Sequence, residues 1–411
     1  MKIFMMIGWR NLWRNKRRSV VVIFSIALGI FAMLLSMGIM NGINNQMVEN
    51  TISTSLGHIS IHRKGFQDDM KLQNSFSPSG AMESELLKIP SVRGFSFRVK
   101  LEGMIRSSEA SSGVLIMGIE PAREPSVSKI LEYMLVDGES KFLSSPEAHD
   151  ILLSKTLADK LDLLVGDKAV LMFQDINQDI VGTALTVKGL YQSPVDSFDR
   201  YVVYIGIRAM QELAGLADRI SEISVRTAHR NQVDETADLL RNSISRPSFE
   251  ILTWKEMAPN LFRAVTIFDT MMYIFFAIIF TTVVFSIANT LIMSIMERFH
   301  EIGVMKSIGT RPSRIFAMVL FEAVNLGLVG LIAGIFSGAL AVFFLSIVGI
   351  DLSFYMDSVR TWGTGHVIYP TLKPMDILAS TLIVLVTTVF ASLYPAVKAA
   401  RIKPLEALHY L

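Results

Sequence analysis

Four stretches of the chain are almost free of polar positions, and the pattern between them has a different character. Residues 20–40 carry no charge. At about 1.5 Å of rise per residue, a helix of that length reaches roughly 30 Å, the thickness of a bilayer core. Apolar runs of the same kind lie near 271–296, within 315–350 and over 377–397. The pattern predicts four membrane-spanning helices. The first run exceeds the roughly 7–15 apolar residues of a secretory signal, and no small-residue cleavage pattern follows it, so it is expected to remain as an anchor.

Residues 56–254 alternate strand-like and helix-like patterns instead. Polar and apolar positions alternate over 57–62, which predicts a half-buried strand. Helices are expected over 81–89, 151–161 and 232–245. Strands are expected over 92–99 and onward to 118, and at 168–174, 184–190, 200–205, 220–226 and 249–252. Two β-α-β units flank a mainly β insertion at about 101–205, which predicts an α+β domain with antiparallel pairing. The second apolar run belongs to a longer helical pattern over 255–296, interrupted only by Pro259, a residue tolerated in a first turn. About forty helical residues reach roughly 60 Å, twice the bilayer core. Residues 20–55 and 255–296 therefore each read as a span continued by a stalk. The alternative is a break near Ala264 and a flexible linker.

Charge placement supplies a direction. The first 19 residues hold six Lys or Arg and no acid. Arg298, Lys306, Arg311 and Arg314 lie in the 297–314 loop, and Lys398, Arg401 and Lys403 in the 398–411 tail. The 351–376 loop has only Arg360 and Lys373 against three aspartates. Because basic loops stay on the cytoplasmic side, both termini and the 297–314 loop are expected inside, with the large domain outside. Composition agrees: 51% hydrophobic residues are too many for a soluble protein, and 18% charged residues too many for one buried wholly in lipid. A net charge of +2 gives no reason to expect a nucleic-acid partner, and the absence of cysteine excludes disulfides and thiolate chemistry.

The sequence carries no complete catalytic motif. Gly303-Val-Met-Lys-Ser307 lacks the glycine a phosphate-binding loop needs before its lysine. His300-Glu301 begins a zinc-protease pattern, but Val304 stands where the second histidine belongs. His58 and His62 share one face of the expected strand without a third ligand; they read as a solvated face, and no metal is expected. Within the third span, Glu322 and Asn325 are polar groups that lipid would penalise, so they are expected to face the bundle interior, with Glu322 paired to Arg311, Arg314 or an N-terminal arginine. Gly330, Gly334 and Gly338 repeat every four residues, a spacing that lets helices approach closely.

The 297–314 loop reads as a short charged helix ended by a left-handed cap at Gly309, with Pro312 opening the next helix. On composition alone it is either a solvated turn or a docking element. Its stretch E-R-F-H-E-I-G-V-M-K-S-I-G over 297–309 resembles the coupling loop of the MacB/FtsX-type ABC transporter permeases, and most of all the lipoprotein-releasing LolC and LolE type. Residues 9–18 (W-R-N-L-W-R-N-K-R-R) resemble the N-terminus of that family, and 395–408 (P-A-V-K-A-A-R-I-K-P-L-E-A-L) its C-terminal signature. One span before the outer domain and three after it also match.

The resemblance implies a permease of the bacterial inner membrane with a porter-like periplasmic domain interrupted by a second subdomain. Two permease subunits, identical or homologous, would pair over a dimer of ABC ATPase subunits that binds ATP and Mg, this chain holding no cofactor. Glu297, Arg298, Glu301, Ile302, Gly303, Lys306 and Gly309 would contact the ATPase, and nucleotide-driven movement would reach the outer domain by mechanotransmission. Three outcomes stay open: release of lipoproteins, export of an antibiotic or peptide through a periplasmic adaptor, and control of a cell-wall hydrolase. LolC-type subunits carry a long hairpin hook that recruits a periplasmic carrier. Here the 174–183 connection is short and polar and no full hook is expected, so the chain is either LolE-like or engages no carrier.

Overall fold

The computed structural model describes residues 16–244, 247–355, 360 and 363–404. The chain divides into two compact units, one formed by residues 1–44, 265–351 and 367–411, the other by 45–264 and 352–366.

Four long helices supply the first unit: α1 Lys16–Thr51, α6 Pro259–Glu297, α8 Pro312–Val348 and α9 Pro374–Ala400. All four are long and apolar enough to cross a membrane. Their inner faces meet in one core around Ile26, Ile30, Leu34, Ile287, Leu291 and Ala323. Their outer faces are equally apolar: Phe285, Ile332 and Phe336 are each about 70% exposed, as expected where hydrocarbon rather than water is the solvent. Pro259 and Pro312 open their helices, where the missing N–H removes a donor that would lack a partner anyway. α6 runs through Ala264 without a break. Between α6 and α8 lies the short helix α7, Phe299–Ser307. A two-residue ladder, β10 Ile350–Asp351 with β11 Val367–Ile368, closes the α8–α9 connection.

The second unit is built on one nine-stranded mixed sheet, in the order β3-β7-β4-β6-β5-β2-β8-β1-β9. Its strands are β1 Ile59–Arg63, β2 Val92–Arg106, β3 Ser111–Ile119, β4 Asp150–Ser154, β5 Lys168–Gln174, β6 Ile180–Tyr191, β7 Val202–Gly206, β8 Glu222–Thr227 and β9 Phe249–Thr253. Helices α2 Gly80–Lys88, α3 Lys155–Leu161, α4 Ile207–Leu213 and α5 Val233–Ser243 connect them. Most neighbours are antiparallel, as expected, but β3–β7 and β4–β6 are parallel. The fifteen-residue β2 makes the sheet continuous. Its first half pairs with β8 and its second half with β5, so the strand crosses position 101, where the β-rich insertion was expected to begin.

Two local expectations are corrected. The 151–161 helix is a strand followed by a helix: Ser154 ends β4, and its Oγ accepts from Leu157 N at 3.0 Å to cap α3. A short apolar run carries no period of its own, and Ile151–Leu153 is wholly buried in the sheet. β1 is not half-buried: it lies between β8 and β9, and Ile59–His62 are all buried. The polar members of its alternation, Ser60 and His62, are covered by protein rather than water.

Candidate functional site

The candidate site is the α6–α7–α8 turn. α6 ends at Glu297, and Arg298 leaves helical geometry before α7 begins. α7 stops because Gly309 adopts φ +92°, a left-handed conformation that glycine takes without a Cβ clash. Thr310 N donates to Met305 O and Gly309 N to Lys306 O, both at 3.0 Å, which is the Schellman closure. Arg311 is extended, and Pro312 starts α8.

Three ties hold α7 within its unit. Arg298 Nη1 donates to Glu322 Oε2 of α8 at 3.2 Å, and its Nε to Glu301 Oε2 at 3.2 Å. Glu322 also accepts from Ser294 Oγ at 3.2 Å. Sequence reasoning named other partners for Glu322 and missed Arg298, which only the bend at the end of α6 brings alongside it. Lys306 Nζ donates to Ala400 O at 2.9 Å and Ile402 O at 2.6 Å, placing a cation on carbonyls at and just beyond the end of α9. Ile302 is 2% exposed and packs with Ile295, Ile315, Val319, Ala396 and Ala399.

The seven residues singled out in the loop thus fall into two groups. Arg298, Ile302, Gly303 and Lys306 are turned toward α8 and α9, with Ile302 and Gly303 buried. Glu301 is intermediate, and Glu297 and Gly309 are exposed. Beside those two, the outward surface carries His300, Val304, Ser307 and Ile308, followed by Arg311 and Arg314. Ile308, at 78% exposure, is the most prominent apolar group there, and the sequence reading passed over it.

Deeper in α8, Asn325 is buried like Glu322. A Cβ on Gly330 would sit 2.7 Å from Ile26 Cβ, and one on Gly334 2.7 Å from Ile30 Cβ. One on Gly338 would sit 3.0 Å from Leu34 Cδ1. The glycine strip is therefore the surface on which α1 lies, one α1 side chain per glycine. Gly327, one turn earlier, meets Thr388 of α9 instead.

In the sheet unit, His58 and His62 are buried rather than solvated. His58 Nδ1 accepts from Thr227 N at 2.9 Å; burial, with Arg226 and Arg230 nearby, holds its imidazole down at about 4. Among the described residues no group of three or more His, Cys, Asp or Glu could hold a metal ion. Sequence reasoning also missed a buried charge network. Arg98 bonds Glu124 at 2.6 Å and Glu222 at 3.3 Å, and Lys100 bonds Glu222 at 2.6 Å. Burial opposes these charges. Against it, Glu124 and Glu222 hold the Arg98 guanidinium above its ordinary range, and Lys100 with Arg98 holds Glu222 below the usual carboxylate range. Alternation along β2 shows these positions as polar but cannot show that a second layer covers them. The β5–β6 connection is a tight turn: Asp175 N donates to Asp179 O at 2.9 Å, and Asp175 Oδ1 accepts from Asn177 N and Asp179 N. No hook extends from it.

Residues 1–15 and 405–411 lie outside the described residues, and with them most of the N-terminal motif and the last four residues of the C-terminal one.

Comparison with known proteins bears on the same segments. The pattern described as MacB-like periplasmic core domain matches residues 19–243, more than half of the chain, and that described as FtsX-like permease C-terminal matches 273–404. The chain is similar to the lipoprotein-releasing system transmembrane protein LolC of Xylella fastidiosa, at 24% identity over 98% of both chains. It is similar to the corresponding LolE of Haemophilus influenzae, at 21% identity over 98% of both. It also resembles the macrolide export ATP-binding/permease protein MacB of Chlorobium luteolum, at 27% identity over 51% of this chain and 27% of that one. A MacB-like core on the sheet unit, followed by an FtsX-like segment that contains α7, its ties and the glycine strip, makes this chain a member of the MacB/FtsX-type family of ABC transporter permeases.

Proposed function

We propose that the chain is the permease half of an ABC transporter that extracts lipoproteins from the outer leaflet of the bacterial inner membrane. The observation that carries this reading is the end-to-end similarity to LolC and LolE, which spans both units and the helix between α6 and α8. The ATPase, with its ATP and Mg, is a separate subunit, and α7 is the surface it meets. Of the residues assigned to that contact, Glu297, Glu301 and Gly309 touch the ATPase directly, together with Val304 and Ile308. Arg298, Ile302, Gly303 and Lys306 serve by fixing α7 to α8 and α9, so that a push on α7 moves those helices rather than bending the loop.

The sheet unit stands in the periplasm and both termini in the cytoplasm. Residues 352–366, from the loop poor in basic residues, belong to the sheet unit, which supports placing that loop and the sheet on one side and α7 on the other. α1 and α6, with 36 and 39 residues, reach roughly 54 and 58 Å, enough to cross the bilayer and continue as stalks. One span precedes the domain and three follow it, and movement passes along the stalks to the sheet. A second permease subunit, identical or homologous, completes the transporter.

A second reading, export of an antibiotic or peptide through a periplasmic adaptor, is favoured by one observation: the tight 175–179 turn leaves no hook for a lipoprotein carrier. Reconstitution decides between them. The chain, with the ATPase and permease that copurify with it, is placed in vesicles containing a triacylated lipoprotein. ATP-dependent appearance of that lipoprotein in the aqueous phase is expected. Retention of the lipoprotein despite active ATP hydrolysis would contradict the first reading.

A further inference from the structure

The end of α1 is held in an unusual way. A helix leaves its last four carbonyls without intrahelical partners. Here α1 passes into a π-helical turn over Ile52–Leu56, and the last four carbonyls, from Ser53 to Leu56, are each bonded by a donor from the sheet unit. Lys129 N donates to Ser53 O at 2.7 Å, and Tyr204 Oη to Thr54 O at 3.1 Å. Arg98 Nη1 donates to Ser55 O, and Ser224 Oγ to Leu56 O at 3.2 Å. The side-chain donors come from β2, β7 and β8, and Arg98, Tyr204 and Ser224 are fully buried. Gly57 is required at the exit: its φ is +70°, and a Cβ there would lie 2.2 Å from Ser224 Oγ, displacing one of the four donors. One turn earlier, Arg226 bonds Glu49 at 2.7 Å and Val127 O at 3.2 Å, bracing the side of the helix.

Water could satisfy such carbonyls at no cost in buried charge. This chain instead sets a buried guanidinium on them and must balance it with Glu124 and Glu222, themselves held by Ser96 Oγ at 2.9 Å and Ser60 Oγ at 3.0 Å. A buried ion network is weak evidence for stability, because apolar residues of the same volume often serve as well. What it does supply here is direction: the last turn of the helix is bonded to three strands at once.

We infer that the Arg98–Glu124–Glu222 network, with Tyr204 and Ser224, is the joint through which movement of α1 enters the sheet unit. Arg98 is a positioning residue in this role. The inference rests on the mechanotransmission reading above.

Its test uses the complete transporter, permease with copurifying ATPase, in lipid nanodiscs. The chain has no cysteine, so Val136→Cys and Ile347→Cys introduce the only two spin-label sites within this chain, 103% and 65% exposed in the native protein. Inter-label distances are measured by pulsed electron resonance without nucleotide and with ATP and vanadate. In the otherwise native complex the distance is expected to shift on nucleotide binding. In Arg98→Gln and in Tyr204→Phe, which removes only a hydroxyl, ATP hydrolysis is expected to stay within about twofold of native while the shift falls to about half or less. Arg98→Lys, which keeps the charge, is expected to recover part of it. A full shift in both Tyr204→Phe and any folded Arg98 variant would overturn the joint and leave the transport reading standing. No shift in the native complex would overturn the reading beneath it.

Discussion

Arg298 Nη1 lies 3.2 Å from Glu322 Oε2, so the first residue beyond α6 is bonded to an acid carried by α8 as well as to Glu301 of its own loop. Both side chains are nearly covered, at 15% and 11% exposure. The pair converts a three-helix turn into one rigid corner.

Removing either member should lose the bond between the end of α6 and α8, while Arg298, where it is the one retained, keeps its contact with Glu301. Glu322→Gln and Arg298→Met are each expected to lower stability by about 1.5–3 kcal/mol, the usual range for hydrogen bonds to charged groups. Thermal unfolding in detergent measures this, and a double-substitution cycle isolates the pair. If the singles and the double simply add, the two residues are not coupled.

The outward and inward residues of α7 should separate by phenotype. Ile308→Asp is expected to reduce copurification of the ATPase at least about tenfold with little change in melting temperature, since the side chain is mostly exposed and exposed substitutions cost little. Glu301→Lys is expected to abolish stimulation of ATP hydrolysis without unfolding the chain. Ile302→Ala, within the core, is expected to destabilise by about 2–5 kcal/mol. Equal binding of the ATPase by Ile308→Asp and the native chain would remove Ile308 from the docking face.

The glycine strip predicts a graded response. Gly334→Ala places its Cβ 2.7 Å from Ile30 Cβ and should cost about 1–3 kcal/mol through overpacking, whereas Gly113→Ala meets nothing within 4 Å and should be close to neutral. Comparable stability of the two variants would mean that α1 does not pack on that strip.

His58 supplies a pH test. Burial first, then Arg226 and Arg230, lowers its pKa from 6.5 to about 4. Between those values the unfolded chain binds a proton that the folded chain does not, so this residue makes stability fall as pH drops from 6.5 toward 4, by about 3 kcal/mol in all. Asp199, raised from 3.8 to about 6 chiefly by burial, works in the opposite sense between those two values. The comparison is therefore between variant and parent. His58→Asn, which keeps an acceptor for Thr227 N, should lose less stability on acidification than its parent. Parallel profiles would mean that His58 is not held neutral.

How much of this was legible in the sequence follows from which physical signals are local. Apolar run length exposed all four long helices, because a span must be apolar over its whole length, and glycine spacing exposed the strip that α1 occupies. The Gly309 cap was readable because left-handed backbone strongly selects glycine. The buried network was not, because Arg98 and Lys100 alternate along β2 just as solvated residues would. Their coverage depends on Glu124 and Glu222, both distant in sequence. Within the loop, the motif marked the correct segment but not its two faces. Whether Lys306 points outward depends on where α9 ends, nearly a hundred residues later. Likewise, Asp199 and Arg360 meet at 2.7 Å only because the α8–α9 loop belongs to the sheet unit, which no local pattern announces.

In the proposed transporter, α7 meets an ATPase on one side of the membrane while the sheet unit works on the other. Since the chain has no cysteine of its own, Ile308→Cys and Val136→Cys can each be labelled with a membrane-impermeant maleimide without background. Position 136 should react in intact spheroplasts and be protected in inverted vesicles, and position 308 should do the reverse. Labelling of both positions from the same side would contradict the account.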